Sequence, residues 1–161
     1  MSKMQQLGIS VFVKGFIPLS LALGMALSGT GRGIDDSMSP AKKAIQRVLD
    51  EQSAAWNKGD LKAFMSGYWN SQELSFFSGN DKTRGWQSTL ERYQKRYQAE
   101  GKEMGKLSFT EIEIDILSTE AALVRGRWRL VLSKETVGGL FTLIFKMVPE
   151  GWRIVHDHTS G

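Results

Sequence analysis

Hydrophobic positions recur every three to four residues over the first half of the folded region and every second residue near its end. The first spacing is typical of helices that bury one face, and the second is typical of strands that bury one face. The change from one spacing to the other falls near Leu107. The pattern therefore predicts an α+β protein in which helices precede a sheet.

Three helices are predicted from their start and stop residues. Ser39 and Pro40 favour a helix start, because a hydroxyl accepts unpaired N–H groups and proline is tolerated in the first turn. Gly59 ends this helix, since glycine readily adopts the left-handed conformation after a C-terminus. Asp60 can then cap a shorter second helix. The largely apolar stripes are Ile45, Val48, Leu49, Gln52 and Trp56 on the first helix, Leu61, Phe64, Met65 and Tyr68 on the second, and Trp86, Leu90, Tyr93 and Tyr97 on the third.

The remaining segments alternate in the manner of strands. A short strand at residues 74–78 and a turn at 79–81 stand between the second and third helices, and long strands follow at 107–116, 121–132, 140–148 and 152–159. A sheet with one apolar face must be covered, and a strongly twisted sheet facing helices leaves a hollow. We predict a cone-shaped, curved antiparallel sheet packed against three helices and enclosing a pocket.

The N-terminus has the layout of a secretory signal. Lys3 and Lys14 are its only charges, an apolar run covers residues 16–27, and small residues follow from Ser28. That run is shorter than the ~20 residues needed to span a bilayer. An uncleaved membrane anchor and a disordered cytoplasmic extension are the alternatives. The predicted divisions are a signal peptide at 1–28, a flexible mature start at 29–38 and a single domain at 39–161, in a periplasmic or secreted protein.

Composition removes several classes of function. The net charge is +4, and Lys3 and Lys14 supply two of those charges. The other basic residues are scattered along the chain, whereas nucleic-acid binding needs a clustered basic stripe. Cysteine is absent, which excludes disulfides, zinc–thiolate sites and thiol nucleophiles. We predict no nucleic-acid partner, no cofactor and no metal, and membrane contact only through an uncleaved signal.

Two histidines mark the last strand. His156 and His158 are two residues apart, so they share a strand face with Trp152 and Ile154, and we expect that face to be buried. Histidine in a hollow can act as a general base, donate to a bound anion or ligate a metal, although no third ligand is found on the same face. The alternative is that both are ordinary buried side chains that satisfy local partners.

Aromatic side chains and one arginine complete the predicted site. Arg127 lies centrally among three arginines on one strand face, where it either reaches a ligand carboxylate or belongs to a solvated or interface ladder with Arg125 and Arg129. Aromatic residues provide the walls that a ligand pocket needs, although core packing is the alternative for each. The candidate ligand-binding residues are Tyr68, Trp69, Phe77, Trp86, Tyr93, Tyr97, Arg127, Phe141, His156 and His158.

Four stretches of the chain together resemble a known protein family. They are AAWNKGDLKAFMSGYW at 54–69, FFSG followed by TRGWQSTLERY within 76–93, GRWRL at 126–130 and GGLFTLIFKMVPEGWRIVHDHTSG at 138–161. On these motifs the chain resembles the SnoaL-like branch of the nuclear transport factor 2-like superfamily, and its ending is similar to the association domain of calcium/calmodulin-dependent kinase II. The resemblance implies a homodimer formed through the outer sheet face, which light scattering would test.

The same resemblance implies little about catalysis. Ketosteroid isomerases of this fold use an Asp base with a Tyr/Asp pair, but we expect no Asp at an inward strand position here, so that trio is not carried over. The sequence therefore predicts an exported domain that binds a small, partly apolar molecule. The alternatives are an isomerase-, dehydratase- or cyclase-type enzyme in which His156 or His158 moves a proton, and a non-catalytic dimerisation or assembly module.

Overall fold

The computed structural model describes residues 39–161 of the chain. The predicted signal peptide at 1–28 and the predicted flexible segment at 29–38 lie outside the described residues, and both stay predictions. Among the helices of residues 39–161, none has the length and apolar character that a membrane span requires.

The three helices form where the apolar stripes predict them: α1 spans Pro40–Asn57, α2 spans Leu61–Met65 and α3 spans Trp86–Tyr97. The Ser39 hydroxyl accepts a hydrogen bond from the Lys42 amide at 3.3 Å, and the Asp60 carboxylate accepts one from the Ala63 amide at 2.9 Å. Gly59 has a φ of 81°, which lets the chain turn between α1 and α2. The predicted caps are therefore confirmed.

Six strands form one curved sheet that does not close into a barrel. They are β1 (Ser75–Ser78), β2 (Asp81–Arg84), β3 (Lys106–Ile116), β4 (Ala121–Val131), β5 (Thr136–Val148) and β6 (Gly151–Thr159), arranged in the order β2-β1-β6-β5-β4-β3. Neighbours are antiparallel except β1 and β6, which run parallel. The predicted fold class and the four long strands are confirmed, and the short β1–β2 hairpin extends the sheet beyond β6.

The helices cover the inner face of the sheet and bury the core against it. α1 packs on β3 and on α2, while α2 also meets α3. Burying large apolar side chains stabilises such a domain by about 1.5–3 kcal/mol for each one fully removed from water. The side chains that are least exposed are Phe145, Ile45, Leu49, Met65, Leu74, Leu130, Ile154 and Val124.

Arginines occupy the outer face of the sheet, away from the helices. Arg125 pairs with Glu113 at 3.1 Å and Asp115 at 2.6 Å, and Arg127 pairs with Glu111 at 3.3 Å. All of these groups are about half exposed or more, so each pair contributes little stability. The structure thus gives Arg127 the ladder position and does not bring it into the hollow.

Gly67 allows the segment after α2 to pass directly against α1. Gln52 of α1 is buried, and its amide donates a hydrogen bond to the Phe64 carbonyl at 3.1 Å. A Cβ atom at Gly67 would lie 2.6–2.7 Å from three atoms of the Gln52 side chain. Because the packed Gln52 cannot swing away, this close approach requires glycine, and it fixes the position of the next residue, Tyr68.

We predict that Gly67→Ala lowers the free energy of unfolding by roughly 1–3 kcal/mol through this overlap. Urea unfolding of wild type, Gly67→Ala, Gln52→Ala and the double variant measures the coupling between the two positions. The Gly67→Ala cost should be smaller in the Gln52→Ala background, where the overlapping atoms are gone. Equal costs in both backgrounds would show that Gln52 is not what requires glycine.

Candidate functional site

The last strand carries one residue more than its neighbour. Ile154 pairs with Phe145 of β5, but His156 pairs with Ile144, the very next residue of β5 in the antiparallel direction. Val155 therefore has no partner across β5. Such an unpaired residue is a β-bulge.

The bulge reverses which side chains point into the hollow beyond Val155. Side chains alternate along a strand, so one extra residue moves all later side chains to the opposite face. Asp157 now pairs with the inward-facing Leu143 and is only 4% exposed. His156 and His158 lie on the outer face.

The predicted orientation of the two histidines is accordingly wrong. Trp152 and Ile154 are buried as expected, but His156 and His158 do not share their face. The expectation that no Asp faces inward is wrong for the same reason, because Asp157 takes that position.

β6 bulges at the point where it changes its neighbour. The Ile154 carbonyl accepts a hydrogen bond from the Trp69 amide at 2.9 Å, and the Ile154 amide donates to the Gly67 carbonyl at 3.0 Å. From His156 onward, β6 pairs instead with β1, beginning at Ser75. The same edge of β6 thus pairs with two segments in turn, first with residues 67–69 and then with β1. The extra residue, Val155, lies between the two paired stretches.

Asp157 is held by two hydroxyl donors inside the domain. The Tyr68 hydroxyl donates to Oδ2 at 2.7 Å, and the Thr159 hydroxyl donates to Oδ1 at 2.6 Å. Tyr68 is 4% exposed and follows Gly67, so the segment bound to Ile154 delivers the phenol to the carboxyl group. The carboxyl and phenol form a buried polar pair among the aromatic rings of the domain interior.

Burial shifts the proton affinities of this pair and its neighbour. Removal from water raises the pKa of Asp157 to about 6, against the opposing effect of the Thr159 and Tyr68 hydrogen bonds. Burial and the nearby Asp157 charge also raise the pKa of both Tyr68 and Tyr93. Asp157 therefore changes charge near pH 6, while both phenols stay protonated.

A pocket of about 100 Å³ lies in front of the pair and is walled mainly by rings. Trp56 meets Phe64, Tyr93 and Tyr97 edge-on, with ring centroids 4.8–5.8 Å apart. Edge-to-face contacts are a favoured arrangement of neighbouring rings and stabilise the walls. The lining includes Asp157 and the aromatic residues Trp56, Phe64, Tyr68, Phe76, Tyr93, Tyr97, Phe109, Trp128 and Phe141.

The outer face of β6 carries a separate histidine cluster. His156 Nδ1 lies 2.7 Å from the Ser75 hydroxyl oxygen, and the Phe77 ring packs edge-on against His156 and His158 at 5.0 and 6.2 Å. Partial burial lowers the pKa of His156, with a smaller contribution from His158. In residues 39–161, no group of three or more His, Cys, Asp or Glu side chains could hold a metal ion.

The predicted site residues divide into three groups. Tyr68, Tyr93, Tyr97 and Phe141 all line the pocket. Trp69 and Trp86 instead lie beside a second, more open cleft at the α2 end, and the Trp86 indole donates to the Met65 carbonyl at 2.8 Å. Phe77, Arg127, His156 and His158 are on the outer face.

The largest omission from the sequence prediction is Asp157. Strict alternation assigns Asp157 to the same outward face as Arg153 and Val155. The stretch around Val155 has no glycine or proline that would mark a bulge. Trp56 and Phe64 were expected on buried helix faces but not as pocket walls. Their aromatic character and inward spacing are the available signal.

The SnoaL-like domain family matches residues 45–161, which is more than half of the chain. The chain belongs to this family. No curated protein matches it. The SnoaL-like domain also has solved structural relatives, which share the nuclear transport factor 2-like fold.

One relative is a nuclear transport factor 2-like protein of unknown function from Shewanella oneidensis. It is 42% identical, with a TM-score of 0.70, over 74% of this chain and 98% of its own. A calcium/calmodulin-dependent kinase II association-domain protein from Thiobacillus denitrificans is 18% identical, with a TM-score of 0.59 over 71% of this chain and 92% of its own. A ketosteroid isomerase-like protein from Erwinia carotovora is 17% identical, with a TM-score of 0.57 over 73% of this chain and 93% of its own. The last two show the fold alone.

The pKa of Asp157 predicts how stability changes with pH. The folded state holds its proton up to about pH 6 while the unfolded state releases it near 3.8, so folding is favoured at low pH and stability falls as the pH rises between these values. The difference amounts to roughly 3 kcal/mol. Urea unfolding of wild type and Asp157→Asn between pH 4 and 7.5 should show wild type losing stability relative to the variant. A difference that does not change with pH would contradict the buried carboxyl.

Proposed function

We propose that this SnoaL-like domain binds a small, partly apolar molecule in the ring-walled pocket. The observation that carries the proposal is the buried Asp157–Tyr68 pair at 2.7 Å, which presents polar groups in a cavity walled mainly by rings. Ligand pockets commonly combine apolar walls with a few polar groups that fix the orientation of the ligand. A core that only needed to be filled would gain nothing from a buried carboxyl, since burial disfavours its charged form.

The size of the pocket limits the ligand. About 100 Å³ is smaller than the roughly 150 Å³ of an engineered protein cavity that accepts benzene. It is also below the roughly 300 Å³ at the lower end of pockets for drug-sized ligands. The body that enters without side-chain movement is therefore no larger than about one six-membered ring.

The polar end of the pocket can both accept and donate hydrogen bonds. Above pH 6 the Asp157 carboxylate accepts from a ligand hydroxyl or amine, and below pH 6 its protonated form can donate to a carbonyl oxygen. Thr159 and Tyr68 hold the carboxyl group in place in both cases. The outward His156 and His158 take no part in this proposal.

A panel of ring-sized probes tests binding directly. We expect phenol and cyclohexanone to shift the amide resonances of residues along the pocket and to raise the melting temperature, because only the folded protein binds them. Asp157→Asn and Tyr68→Phe should each weaken binding by about tenfold, as expected for loss of a buried hydrogen-bond partner. The matched control is His156→Ala/His158→Ala, which alters the same strand on its outer face and should bind as wild type does.

Two outcomes would contradict the binding proposal. One is that no probe of ring size perturbs the pocket resonances at millimolar concentration. The other is that the histidine variant loses as much affinity as Asp157→Asn.

We also propose proton transfer as a second function of the same pocket. A buried carboxyl with a pKa of about 6 is suited to removing and returning protons near neutral pH, and the apolar walls keep water away from it. The group that does so is Asp157 and neither histidine, since only Asp157 faces the pocket. The carboxylate would take a proton from carbon next to a carbonyl, and the electron pair would move to the carbonyl oxygen.

Hydrogen exchange tests this second function without a known substrate. In D₂O, wild type should speed the exchange of the α-hydrogens of cyclohexanone, followed by NMR. Asp157→Asn should lower that rate by about 100-fold or more, the usual effect of losing a general base, and His156→Ala/His158→Ala should leave it unchanged. Two results would contradict proton transfer and leave binding as the function of the pocket. One is that Asp157→Asn exchanges the α-hydrogens as fast as wild type does, and the other is that wild type does not accelerate the exchange.

A further inference from the structure

A basic cleft joins the ring-walled pocket at the protein surface. Arg92 and Arg96 line both spaces, and they stand one helical turn apart on α3. The cleft also contains Lys95 and Lys102. These two guanidinium groups therefore border both the cleft and the ring-walled pocket, and we call this border the mouth of the pocket.

Aromatic rings hold both guanidinium groups at the mouth of the pocket. The Arg92 guanidinium lies 5.6 Å from the centre of the Phe76 ring, and the Arg96 guanidinium lies 5.5 Å from the centre of the Tyr97 ring. Attraction between a cation and the face of a ring limits the motion of each side chain. Phe76 and Tyr97 are themselves pocket walls, so the charges border the apolar space.

The two arginines differ in their acidic partners. Arg92 pairs with the exposed Asp81 at 3.1 Å. Arg96 has no carboxylate within ion-pair distance among the side chains of residues 39–161. A planar guanidinium without a carboxylate partner can make the paired hydrogen bonds that carboxylate and phosphate oxygens accept.

Charge at the mouth favours an anion even when the acids are included. Arg92, Lys95, Arg96 and Lys102 face the cleft, against only two acids, Asp81 and Glu91. The effect reaches Tyr97, where the charges of Arg96 and Arg92 oppose the burial that raises the pKa of the phenol. A cleft with an excess of positive charge attracts ligands of the opposite charge.

We propose that the ligand of this pocket is a small organic anion with an apolar body of about one ring. The body enters the ring-walled pocket, and the anionic head binds Arg96, with help from Arg92, at the mouth. This inference rests on the proposed binding function, because it names the class of ligand for the same pocket. It also gives the ligand a direction, since the buried Asp157 carboxylate in the pocket wall repels an anionic head above pH 6.

Probes that share one ring and differ in the head group separate the contribution of the anionic head from that of the ring. Benzoate and phenyl phosphate carry the head, benzamide is the neutral counterpart of benzoate, and each is titrated into wild type at pH 7.5 with amide resonances as the readout. We expect both anions, or the one whose head fits Arg96 better, to bind at least tenfold more tightly than benzamide. The preferred anion identifies the head group as carboxylate or phosphate.

Variants along α3 assign the preference to particular residues. Arg96→Gln should weaken binding of the preferred anion about tenfold and leave benzamide binding unchanged, and Arg92→Gln should have a smaller effect because Asp81 already occupies that arginine. The control is Lys95→Gln, which removes a charge from the same helix and cleft but from a residue that does not border the rings. It should change anion binding by less than about twofold at 0.15 M salt, where exposed charges are screened.

Each remaining outcome has a definite meaning. If benzamide binds as tightly as both anions, the proposed anion preference is wrong while the pocket still binds rings. If Lys95→Gln weakens anion binding as much as Arg96→Gln does, general surface charge accounts for the preference and the assigned head-group site is wrong. If no probe binds at all, the binding function itself fails and this inference fails with it.

Discussion

The pairing of β6 with two different segments is the constraint on which the rest of the site depends. The backbone of Ile154 forms hydrogen bonds with Gly67 and Trp69, whereas His156 pairs with β1 on one side and β5 on the other. One extra residue, Val155, makes both pairings possible. Its consequence is chemical as well as geometric, because it replaces two imidazoles on the inner face with one carboxyl group.

That exchange changes which chemistry the pocket supports. Imidazole in the hollow would have been a base that titrates near neutral pH without any help from burial. Asp157 reaches a comparable range because its carboxyl group is removed from water and surrounded by rings. Tyr68 and Thr159 keep it oriented, so the same burial that shifts its pKa also restricts its position. Where the pocket borders the basic cleft, Arg92 and Arg96 give it a positive mouth.

Most of the architecture follows from local signals in the sequence. The helix caps at Ser39 and Asp60, the turn at Gly59 and the inward stripe of α3 lie where their physical roles predict them. They are predictable because each depends on residues a few positions away. The aromatic walls at Tyr93, Tyr97 and Phe141 follow from the same kind of reasoning, because inward spacing is a property of one element at a time.

The orientation of the last strand could not be obtained in this way. A bulge depends on which segments lie beside a strand, and no residue near Val155 signals it locally. β3 shows the same limit, since its register shifts between Thr110 and Glu113, where Glu111 has a φ of 52° although it is not glycine. Arg92 and Arg96 were missed because a charged helix residue is ordinarily a solvated one, and only tertiary structure places the pocket mouth beside them.

Carbon-detected NMR titration of the Asp157 carboxyl group tests the central claim most directly, because an inward carboxyl and an outward one have different affinities for protons. The structure predicts a midpoint of about pH 6. A midpoint near the ordinary value of about 3.9 would place Asp157 in water, and would contradict both the bulge at Val155 and the site built on it.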